Sequence, residues 1–329
     1  MSTTIDWAPL AEIISRHDRF LITSHVRADC DAVGSEVALA QLLESLGKHA
    51  LIVNGDPVPE HIEFMDPQGR GRVAGTTAPL EALRGYEVVI VVDTSAWAQL
   101  GAAAEVVRGF RGPRVVIDHH VSQDDLGAQM FKDPSAEATG RLILELAEHL
   151  GATITPEIAA PLFAAIATDT GWFRFSSVSA QTFRALATLT AAGASPQETF
   201  SQLYEQHSLA RLKLRGRILH HVTRECDGRL LWTYVSAEDF RETGAQTTDT
   251  EDAINMLLAV GGVEAAILFV ELEPQLTKVS LRSRGAFDAR AVAEQFGGGG
   301  HRAAAGVTME AARDETERAV LDAACAAMA

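Results

Sequence analysis

The amino-acid sequence predicts an α/β protein in which a parallel sheet with helices on both faces precedes a smaller domain of mixed α+β type. At 329 residues the chain is longer than one compact core usually holds, so two domains are expected. In the first half, short apolar runs end in polar residues and alternate with helix-like segments, which is typical of a parallel sheet. Beyond residue 225, apolar and polar residues alternate more regularly, which favours a mixed sheet.

Four apolar runs give the predicted strands of the first sheet: FLITSH, HALIVN, EVVIVVD and RVVIDHH. Between the first two, residues 31–47 carry apolar side chains at helical spacing and end at Gly47, a residue type that often terminates helices. Residues 137–151 repeat this pattern and end at Gly151. From about residue 156 to residue 225 the pattern is almost wholly helical, and LYEQHSLARLKLRGRILHHV has the spacing of an amphipathic connector.

The C-terminal part is predicted to contain the strands RLLWTYVS, EAAILFVELE and TKVSLRSR, with helices at 250–260 and 288–296. We therefore expect a first domain over residues 1–195, a helical linker over 196–225 and a second domain over 226–329. The sequence shows neither an internal repeat nor a low-complexity tract, so a solenoid or a disordered arm is not expected.

Composition and charge exclude several classes of protein. A formal net charge of −16 argues against a protein that coats long nucleic acid, because neutralising many phosphates needs a broad Lys/Arg surface. The N-terminus has no signal-peptide pattern and the longest apolar runs are too short to span a bilayer, so a cytoplasmic location without membrane insertion is expected. Cys30, Cys226 and Cys325 lie far apart without C-x-x-C spacing, which predicts neither a disulfide framework nor a zinc finger and fits a reducing compartment.

The first motif that carries chemistry is SHVRADCD at residues 24–31, which follows an apolar strand and opens a helix. Open α/β sheets bind ligands in the crevice at the carboxyl ends of their strands. His25, Asp29 and Asp31 can turn several metal-ligating atoms towards one point there. The alternative is that the motif only caps the strand-to-helix turn.

Three further acidic motifs follow at the ends of apolar segments. Asp93 closes EVVIVVD, the triplet D-H-H at 118–120 follows RVVI, and Asp169 leaves a very apolar helix. An N-cap role is the alternative for Asp93, and a structural role stays open for the other two. Four such motifs in order within one α/β domain are hard to explain by capping alone, so we expect a shared metal site.

The donor types in these motifs indicate which metal ions would bind. Carboxylates and imidazoles suit Mn²⁺ or Mg²⁺ better than zinc, whose structural sites favour thiolates. The four carboxylates would neutralise two divalent ions, and one shared carboxylate is the usual way to hold a metal pair about 4 Å apart. They are Asp29, Asp31, Asp93 and Asp169. Such a pair would activate water near neutral pH and clamp phosphoryl oxygens, which predicts phosphoryl chemistry.

Taken in order, the motifs resemble those of the DHH phosphoesterase family with its DHH-associated C-terminal domain. They are S-H-x-x-x-D-x-D-A-x-G-S, V-V-D, D-H-H, T-D-T-G and the closing GGGGHRAAAG at residues 297–306. The resemblance covers nearly the whole chain and is strongest to the branch of nano-RNases and phosphatases of 3′-phosphoadenosine 5′-phosphate (pAp). It implies a cytoplasmic hydrolase that binds short oligonucleotides or nucleotides rather than long nucleic acid or membranes, and it suggests a homodimer.

The resemblance also implies two divalent metal ions, Mn²⁺ first and Mg²⁺ or Co²⁺ as alternatives. By matching position, the ligands of the first ion would be His25, Asp29 and Asp93. The ligands of the second would be Asp31, Asp93, His119 and Asp169. Asp93 would therefore bridge the two ions.

The same matching implies two catalytic residues. His120 would contact the scissile phosphate as a proton donor, and Asp118 would orient the histidine pair. The sequence departs from the family at Arg27-Ala28, where members commonly have a proline before the first aspartate. This departure leaves the candidate ligands in place and puts the local turn in doubt.

In the C-terminal domain, the sequence and the resemblance together indicate a substrate-binding surface. Its candidate residues are Arg282, Ser283, Arg284, Gly298, Gly299, Gly300 and His301. The two arginines are two apart on a predicted strand and so share a face, where they could grip a terminal phosphate; a solvated strand face is the alternative. The glycines could form an anion nest around His301, and a flexible loop is the alternative.

The leading hypothesis is a two-metal phosphodiesterase that cuts short oligoribonucleotides and linear dinucleotides to mononucleotides and removes the 3′-phosphate of pAp. A cyclic-dinucleotide phosphodiesterase is the nearest alternative. A family II inorganic pyrophosphatase is disfavoured because its second domain lacks the GGGH signature, and a RecJ-type exonuclease because it needs further nucleic-acid-binding domains. A catalytically idle nucleotide sensor is disfavoured because every expected ligand position is filled.

Overall fold

The computed structural model describes residues 5–328, which form two compact units. The first unit ends at Gln206 and the second begins at His207. Most of the amphipathic segment that we predicted as part of a linker, residues 203–222, therefore lies at the start of the second unit. Within the described range, none of the helices combines the length and the apolar character needed to cross a membrane.

The first unit contains a six-stranded sheet of order β3-β2-β1-β4-β5-β6, in which every neighbouring pair is parallel. This confirms the predicted parallel α/β sheet. Its strands are β1 (Arg19–Thr23), β2 (His49–Asn54), β3 (Arg72–Val73), β4 (Val88–Val92), β5 (Arg114–Asp118) and β6 (Gln129–Lys132). Its helices are α1 (Ala8–Arg16), α2 (Cys30–Ser45), α3 (Ala103–Gly109), α4 (Thr139–His149), α5 (Pro156–Asp169), α6 (Ala180–Ala191) and α7 (Pro196–Tyr204).

Both faces of this sheet are buried, which explains why its strands are continuously apolar in sequence. Successive side chains point to opposite faces of a strand, so Phe20 and Ile22 pack on one side of β1 and Leu21 on the other. The first side is covered by α1, α2, α4, α5 and α6. The second is covered by α3 and neighbouring loops. Helices on both faces are thus confirmed.

The second unit contains a mixed sheet of order β11-β12-β10-β9-β8-β7, in which β8 and β9 are parallel and the other neighbours antiparallel. The predicted mixed α+β character is confirmed. Its strands are β7 (Thr223–Glu225), β8 (Leu230–Val235), β9 (Ala265–Glu273), β10 (Leu276–Ser283), β11 (Gly299–His301) and β12 (Ala304–Met309). Its helices are α8 (Leu209–His220), α9 (Ala237–Thr243), α10 (Ala253–Leu258), α11 (Ala289–Glu294) and α12 (Arg313–Met328).

Two of the cysteines form a disulfide that the sequence did not predict. Cys226 and Cys325 are 99 residues apart in the chain, yet their Cα atoms lie 5.9 Å apart and their sulfurs are bonded. Both pack against the core of the second unit, so the position of α12 brings Cys325 to Cys226. The expectation of no disulfide was wrong because sequence spacing carries no signal for such a long-range pair. Cys30 stays a free, buried thiol.

Candidate functional site

The candidate ligands meet at the carboxyl ends of β1, β4 and β5. His25 comes two residues after β1, Asp93 directly follows β4, and the 118–120 triplet begins at the last residue of β5. Because β2 lies on one side of β1 and β4 on the other, chain crossovers diverge at this point, and open α/β sheets bind ligands where they do so. Two helix ends complete the arrangement, since α2 begins next to Asp29 and α5 ends at Asp169.

Six side chains form what we call the carboxylate–histidine cluster: His25, Asp29, Asp31, Asp93, His119 and Asp169. In its first group, His25 Nε2 lies 3.3 Å from Asp93 Oδ2 and 3.9 Å from Asp29 Oδ1. In its second group, His119 Nε2 lies 3.7 Å from Asp31 Oδ2 and 3.4 Å from Asp169 Oδ2. Within each group the donor atoms lie within 4.8 Å of one another, close enough to hold a metal ion.

Asp93 stands between the two groups. Its Oδ2 faces His25, and its Oδ1 lies 3.6 Å from His119 Nε2 and accepts a 2.9 Å hydrogen bond from Thr139 Oγ1. The backbone at Asp93 has a φ of 60°, in the left-handed region where aspartate is one of the tolerated residues. Burial, and then the negative charge of Asp29, raise the pKa of Asp93 well above its usual range.

Asp31 is almost fully buried and is held by the start of α4. The backbone amides of Thr139 and Gly140 donate to its two carboxylate oxygens over 2.7 and 2.8 Å. These amides belong to a helix N-terminus, which favours negative charge. Burial, and then the charge of Asp93, nevertheless raise the pKa of Asp31 well above its usual range.

The raised pKa values of Asp31 and Asp93 indicate whether metal ions fit the carboxylate–histidine cluster. Buried carboxylates this close to each other retain protons when positive charge is lacking. Divalent cations between the groups would supply that charge and keep the carboxylates ionised. The oxygen and imidazole donors also match the preference of Mn²⁺ and Mg²⁺. The residues present therefore fit divalent metal ions.

Thr139 and Gly140 were not among the residues chosen from the sequence. A Cβ on Gly140 would lie 2.7 Å from Ala165 Cβ and 3.3 Å from Asp31 Oδ1, so glycine permits the close approach of α4 to α5 and to the carboxylate. The pair Thr-Gly directly before a helical pattern is the signal that could have identified them. Backbone donors leave no other trace in a sequence.

The two adjacent histidines have different partners. The Nδ1–H of His120 donates to Asp118 Oδ1 over 2.8 Å. His119 Nδ1 lies 3.2 Å from the carbonyl oxygen of Ala136, which leaves its Nε2 facing the carboxylates. Asp118 therefore orients His120, whereas the expectation that it orients the pair is corrected for His119. The hydrogen bond from His120 to Asp118 is also the main reason that the pKa of His120 is raised.

Asp118 is itself fully buried and strongly held as a carboxylate. Ser95 Oγ donates to its Oδ2 over 2.7 Å, and Lys132 Nζ lies 3.1 Å from the same oxygen. Burial alone would raise the pKa of Asp118, but the hydrogen bonds from His120 and Ser95 and the charge of Lys132 lower it to about 2. Asp118 is therefore an anion at any physiological pH, and it keeps His120 in one tautomer.

Two family models match this chain: that of the DHH family, N-terminal domain, over residues 19–166, and that of the DHHA1 domain over residues 227–329. The bifunctional oligoribonuclease and PAP phosphatase NrnA of Thermus thermophilus is 31% identical over 294 residues, 88% of this chain and 83% of that protein. This chain belongs to the DHH family. The protein of the same name from Bacillus subtilis is 29% identical over 321 residues, 95% of this chain and 96% of its own length. An exopolyphosphatase-related protein from Bacteroides fragilis has the same fold over 100% of both chains, with a TM-score of 0.85 and 23% identity.

A backbone hydrogen bond holds the turn at Arg27-Ala28, where the sequence departs from the usual DHH pattern. Arg27 has a φ of 56°, and its amide donates a 2.7 Å hydrogen bond to Asp56 Oδ2. Next along the chain, Asp29 Oδ1 accepts from the amides of Asp31 and Ala32 and caps α2. The capping role that we considered for this motif therefore holds for Asp29 alongside its place in the cluster.

Cys30 lies between two DHH-motif aspartates, where an oxidisable thiol would matter. It is buried, and its pKa is raised to about 12, mainly by burial and then by the charge of Asp29. Oxidation requires a thiolate, so this thiol is inert at neutral pH. The surroundings of Cys30 therefore favour a packing role for this residue.

The T-D-T-G motif of the DHH domain leads into an unusual turn. Gly171, Trp172 and Phe173 have φ values of 55°, 54° and 67°, a left-handed run directly after α5. A Cβ on Gly171 would lie 2.6 Å from the ring of Phe175, so the ring would have to shift to make room for it. Strain of this kind in bulky residues persists only where the surrounding packing enforces it, and here it ends α5 just beyond Asp169.

In the DHHA1 domain, the three residues of the R-S-R segment have different surroundings. Arg282 lies on β10 and its Nη1 donates to the carbonyl oxygen of Leu281. Ser283 points to the opposite, buried face and donates to the carbonyl oxygen of Arg302. Arg284 follows the last residue of β10 and is exposed. The backbone pairing continues past the strand end, since the Arg284 amide donates to the carbonyl oxygen of Glu264 over 2.7 Å. The shared face of Arg282 and Arg284 therefore stays a prediction.

The glycine run of the DHHA1 domain forms one side of the β11–β12 hairpin rather than a loose loop. A Cβ on Gly298 or Gly300 would lie 2.4 or 2.5 Å from a backbone carbonyl oxygen, so both are needed for close packing. Gly299 has open space around it and, like His301, is exposed. The amide of Gly298 donates to the carbonyl of Ala293, so an anion nest in this run would use the later amides.

Proposed function

We propose that this DHH protein is a two-metal phosphoesterase that hydrolyses short oligoribonucleotides and linear dinucleotides to mononucleotides and removes the 3′-phosphate of pAp. The observation that carries the proposal is the position of Asp93, whose Oδ2 lies 3.3 Å from His25 Nε2 and whose Oδ1 lies 3.6 Å from His119 Nε2, with His120 Nδ1 3.7 Å from the same Oδ1. The names of the relatives from Thermus thermophilus and Bacillus subtilis support the substrate class.

We assign the ligands of the two ions as the sequence implied. Those of the first are His25, Asp29 and Asp93, and those of the second are Asp31, Asp93, His119 and Asp169. Divalent ions bound at such a site lower the pKa of water and neutralise the phosphoryl oxygens. Mn²⁺ is the ion we propose, with Mg²⁺ and Co²⁺ as alternatives. Thr139 and Gly140 hold the carboxylates of Asp31 and Asp93 for this purpose.

His120 is the proposed proton donor to the leaving oxygen. Its Nδ1–H is committed to Asp118, and its side chain is 47% exposed, so the other ring nitrogen is accessible to a substrate. Its hydrogen bond to Asp118 raises the pKa of His120, which favours the protonated form that a general acid requires. Lys132 and Ser95 act through Asp118, whose charge they stabilise.

The DHHA1 domain supplies the proposed substrate-binding residues Arg282, Ser283, Arg284, Gly298, Gly299, Gly300 and His301. In a chain with a net charge of −16, an anionic substrate depends on a few local cations. We expect Arg282→Ala to raise KM for pAp about tenfold while kcat changes little, since a terminal phosphate contact contributes on the order of 1.5 kcal/mol. Arg290→Ala, on the exposed side of α11, is the matched control, and an unchanged KM in Arg282→Ala would remove Arg282 from the site.

The test of the whole proposal is product analysis with purified protein and Mn²⁺. The substrates are pApA, a five-residue RNA, pAp, cyclic di-AMP and pyrophosphate, offered side by side, and the control is Asp93→Asn. Fastest cleavage of the linear dinucleotide and pAp supports the proposal. Turnover of only cyclic di-AMP or only pyrophosphate would leave the metal centre in place and make the substrate assignment wrong.

A further inference from the structure

A buried arginine directly follows the two residues of α4 whose amides hold Asp31. It is Arg141, and among the described residues it is the one arginine that is buried. A buried cation is unfavourable unless it is paired, so its partners indicate what its charge does in the fold. Three carboxylates lie within ion-pair distance of it, those of Asp133, Glu137 and Glu145.

The guanidinium of Arg141 connects residues before α4 to the helix itself. Its Nε donates to Glu137 Oε2 over 2.8 Å, and its Nη2 lies 3.6 Å from Asp133 Oδ2. Both of these acids are buried and precede the helix. Its Nη1 pairs with Glu145, which lies one turn later on α4 and is half-buried. Arg141 therefore fixes the chain that leads into the helix.

This chain, which we call the 133–140 segment, joins β6 to the first turn of α4. Asp133 shapes its first half, because its Oδ1 accepts from the amide and the hydroxyl of Ser135 over 2.9 and 2.6 Å. The carbonyl oxygen of Asp133 also accepts from the Ala136 amide over 3.0 Å. Among the described residues, no side chain caps α4, whose N-cap residue is Ala138. The contacts of Arg141 therefore hold a helix start that lacks a capping side chain.

The 133–140 segment supports proposed ligands of the second ion. The carbonyl oxygen of Ala136 lies 3.2 Å from His119 Nδ1. The amides that open α4 donate to the two carboxylate oxygens of Asp31 over 2.7 and 2.8 Å. Thr139 Oγ1 donates to Asp93 Oδ1, the oxygen that lies 3.6 Å from His119 Nε2. Each proposed ligand of the second ion except Asp169 therefore takes a polar contact from this segment.

The ligands that belong to the first ion alone are held by other contacts. Asp29 Oδ1 accepts from the amides of Asp31 and Ala32. His25 Nδ1 lies 3.0 Å from the carbonyl oxygen of Val26. These contacts lie within residues 25–32 and do not pass through the 133–140 segment. The support that Arg141 gives is therefore directed to one of the two ions.

We propose that Arg141 is a positioning residue for the second metal ion. It fixes the 133–140 segment, and this segment holds Asp31, Asp93 and His119 in the orientation that the ion requires. The proposal rests on the two-ion assignment of the proposed function. The charge of Arg141 acts in the opposite direction, because a nearby cation repels a divalent ion. Loss of Arg141 therefore weakens the second ion if the residue positions ligands, and strengthens it if only charge matters.

The test is Mn²⁺ binding measured by EPR titration, which counts bound ions without turnover and distinguishes a coupled pair from a single ion. We expect the wild type to bind two Mn²⁺ ions and to give the spectrum of an exchange-coupled pair. Arg141→Met keeps a long side chain of good helix preference and removes the ion pairs. It should bind the first ion as the wild type does and the second about 10- to 100-fold more weakly. Its spectrum should be that of a single ion at Mn²⁺ concentrations that give the pair in the wild type.

Two further variants separate positioning from charge and from folding. Glu145→Gln is the matched control, because it removes a charged partner of Arg141 and leaves both contacts to the 133–140 segment. It should bind both ions as the wild type does. Arg141→Lys keeps the charge next to the buried acids but cannot reproduce the forked contacts. Its second ion should be weakened about tenfold, the lower end of the range.

The outcomes distinguish this proposal from the ion assignment beneath it. If the second ion binds Arg141→Met and Arg141→Lys as tightly as the wild type or more tightly, the positioning role is overturned and the metal centre stands. Equal weakening of both ions in these variants also overturns it, because that result indicates a general loss of structure. A wild type that binds fewer than two Mn²⁺ ions overturns the ion assignment and this proposal with it.

Discussion

The backbone amide of Ser24 donates a 3.2 Å hydrogen bond to Oδ1 of Asn54, which ties the end of β1 to the end of β2. Thr23 Oγ1 donates to the same oxygen, and Asn54 Nδ2 donates in turn to Glu36 Oε2 over 2.9 Å. All of these groups are buried. Because Ser24 directly precedes His25, this hydrogen-bond network fixes the strand end that presents the first candidate metal ligand.

We expect Asn54→Leu to weaken metal binding without touching a candidate ligand. The variant removes the Asn54 hydrogen bonds to the Ser24 amide and the Glu36 carboxyl, and losses of groups that support metal ligands typically cost 10- to 100-fold in affinity or activity. The Mn²⁺ concentration that gives half-maximal pAp hydrolysis should rise by about that factor. Asn255→Leu, at an exposed position on α10, is the control, and an unchanged Mn²⁺ midpoint in Asn54→Leu would contradict the positioning role.

Glu36 makes stability depend on pH. Its burial, only partly offset by the hydrogen bond from Asn54, raises its pKa from 4.5 to about 7. The folded state therefore favours the protonated form, so the stability contribution is full below pH 4.5 and is lost as pH rises towards 7. We expect urea unfolding of the wild type to lose about 3 kcal/mol more than Glu36→Gln does between about pH 4 and pH 8. Glu60→Gln, an exposed change, should behave as wild type.

Asp93→Asn removes the charge of the shared carboxylate and keeps the backbone conformation of residue 93. Asparagine tolerates the φ of 60° at this position, whereas Asp93→Ala would add backbone strain. Turnover should fall by about 10³-fold or more, since a ligand common to both ions is lost. Retained turnover would contradict the bridging assignment, and Asp322→Asn on α12 is the control.

In the metal-free protein, the same variant Asp93→Asn should raise the stability of the fold. Asp31 and Asp93 have raised pKa values, so in EDTA their protonated forms contribute to the free energy of unfolding at low pH. This contribution is lost as pH rises through those pKa values. Removing one of the two carboxylates should make Asp93→Asn more stable than the wild type in EDTA at neutral pH. Added Mn²⁺ should stabilise the wild type and not the variant, which urea unfolding with and without the metal would measure.

Asp118→Asn should change the pH dependence of catalysis. Asp118, with a pKa of about 2, is the charge that raises the pKa of His120. Without that charge His120 loses its proton at lower pH, so the alkaline limb of the kcat/KM profile should move to lower pH and activity should fall about tenfold or more. Asp125→Asn, an exposed change nearby in sequence, should leave the profile in place. An unmoved alkaline limb would remove His120 as the proton donor.

The disulfide of the second unit should contribute measurably to stability. A crosslink between residues 99 apart restricts the unfolded chain, which in the loop-entropy description corresponds to about 4.7 kcal/mol. In urea unfolding, the double variant Cys226→Ser/Cys325→Ser should lose about that amount of the free energy of unfolding. A reductant should lower the stability of the wild type by the same amount. Cys30→Ser serves as the control. Equal stability of wild type and double variant would show that the crosslink is dispensable.

The arrangement of the candidate ligands could be predicted because each follows an apolar run. A polar residue after a buried strand is visible in sequence, and the carboxyl ends of parallel neighbours meet at one sheet edge, so the sequence pattern alone places Asp93 near His25. The supporting residues could not be found in this way. Gly140 acts through its amide, and Asn54 through a strand end thirty residues from Ser24, so neither has a side-chain pattern that points to the site.

Other features depended on local geometry that sequence patterns do not determine. Asp118 has two histidines next to it, and only the turn of the backbone decides that His120 is its partner and that His119 faces Ala136. Cys226 meets Cys325 because of how α12 packs, which is a property of the assembled domain.

The order of the cluster along the chain has a consequence for how the protein is made. Every one of its members, from His25 to Asp169, precedes the second unit, which begins at His207. Synthesis runs from the N-terminus, and domains generally fold as units in that order. The complete donor set is therefore synthesised before the C-terminal unit, and the first unit can begin to fold around it before the residues that we assign to substrate binding have been made.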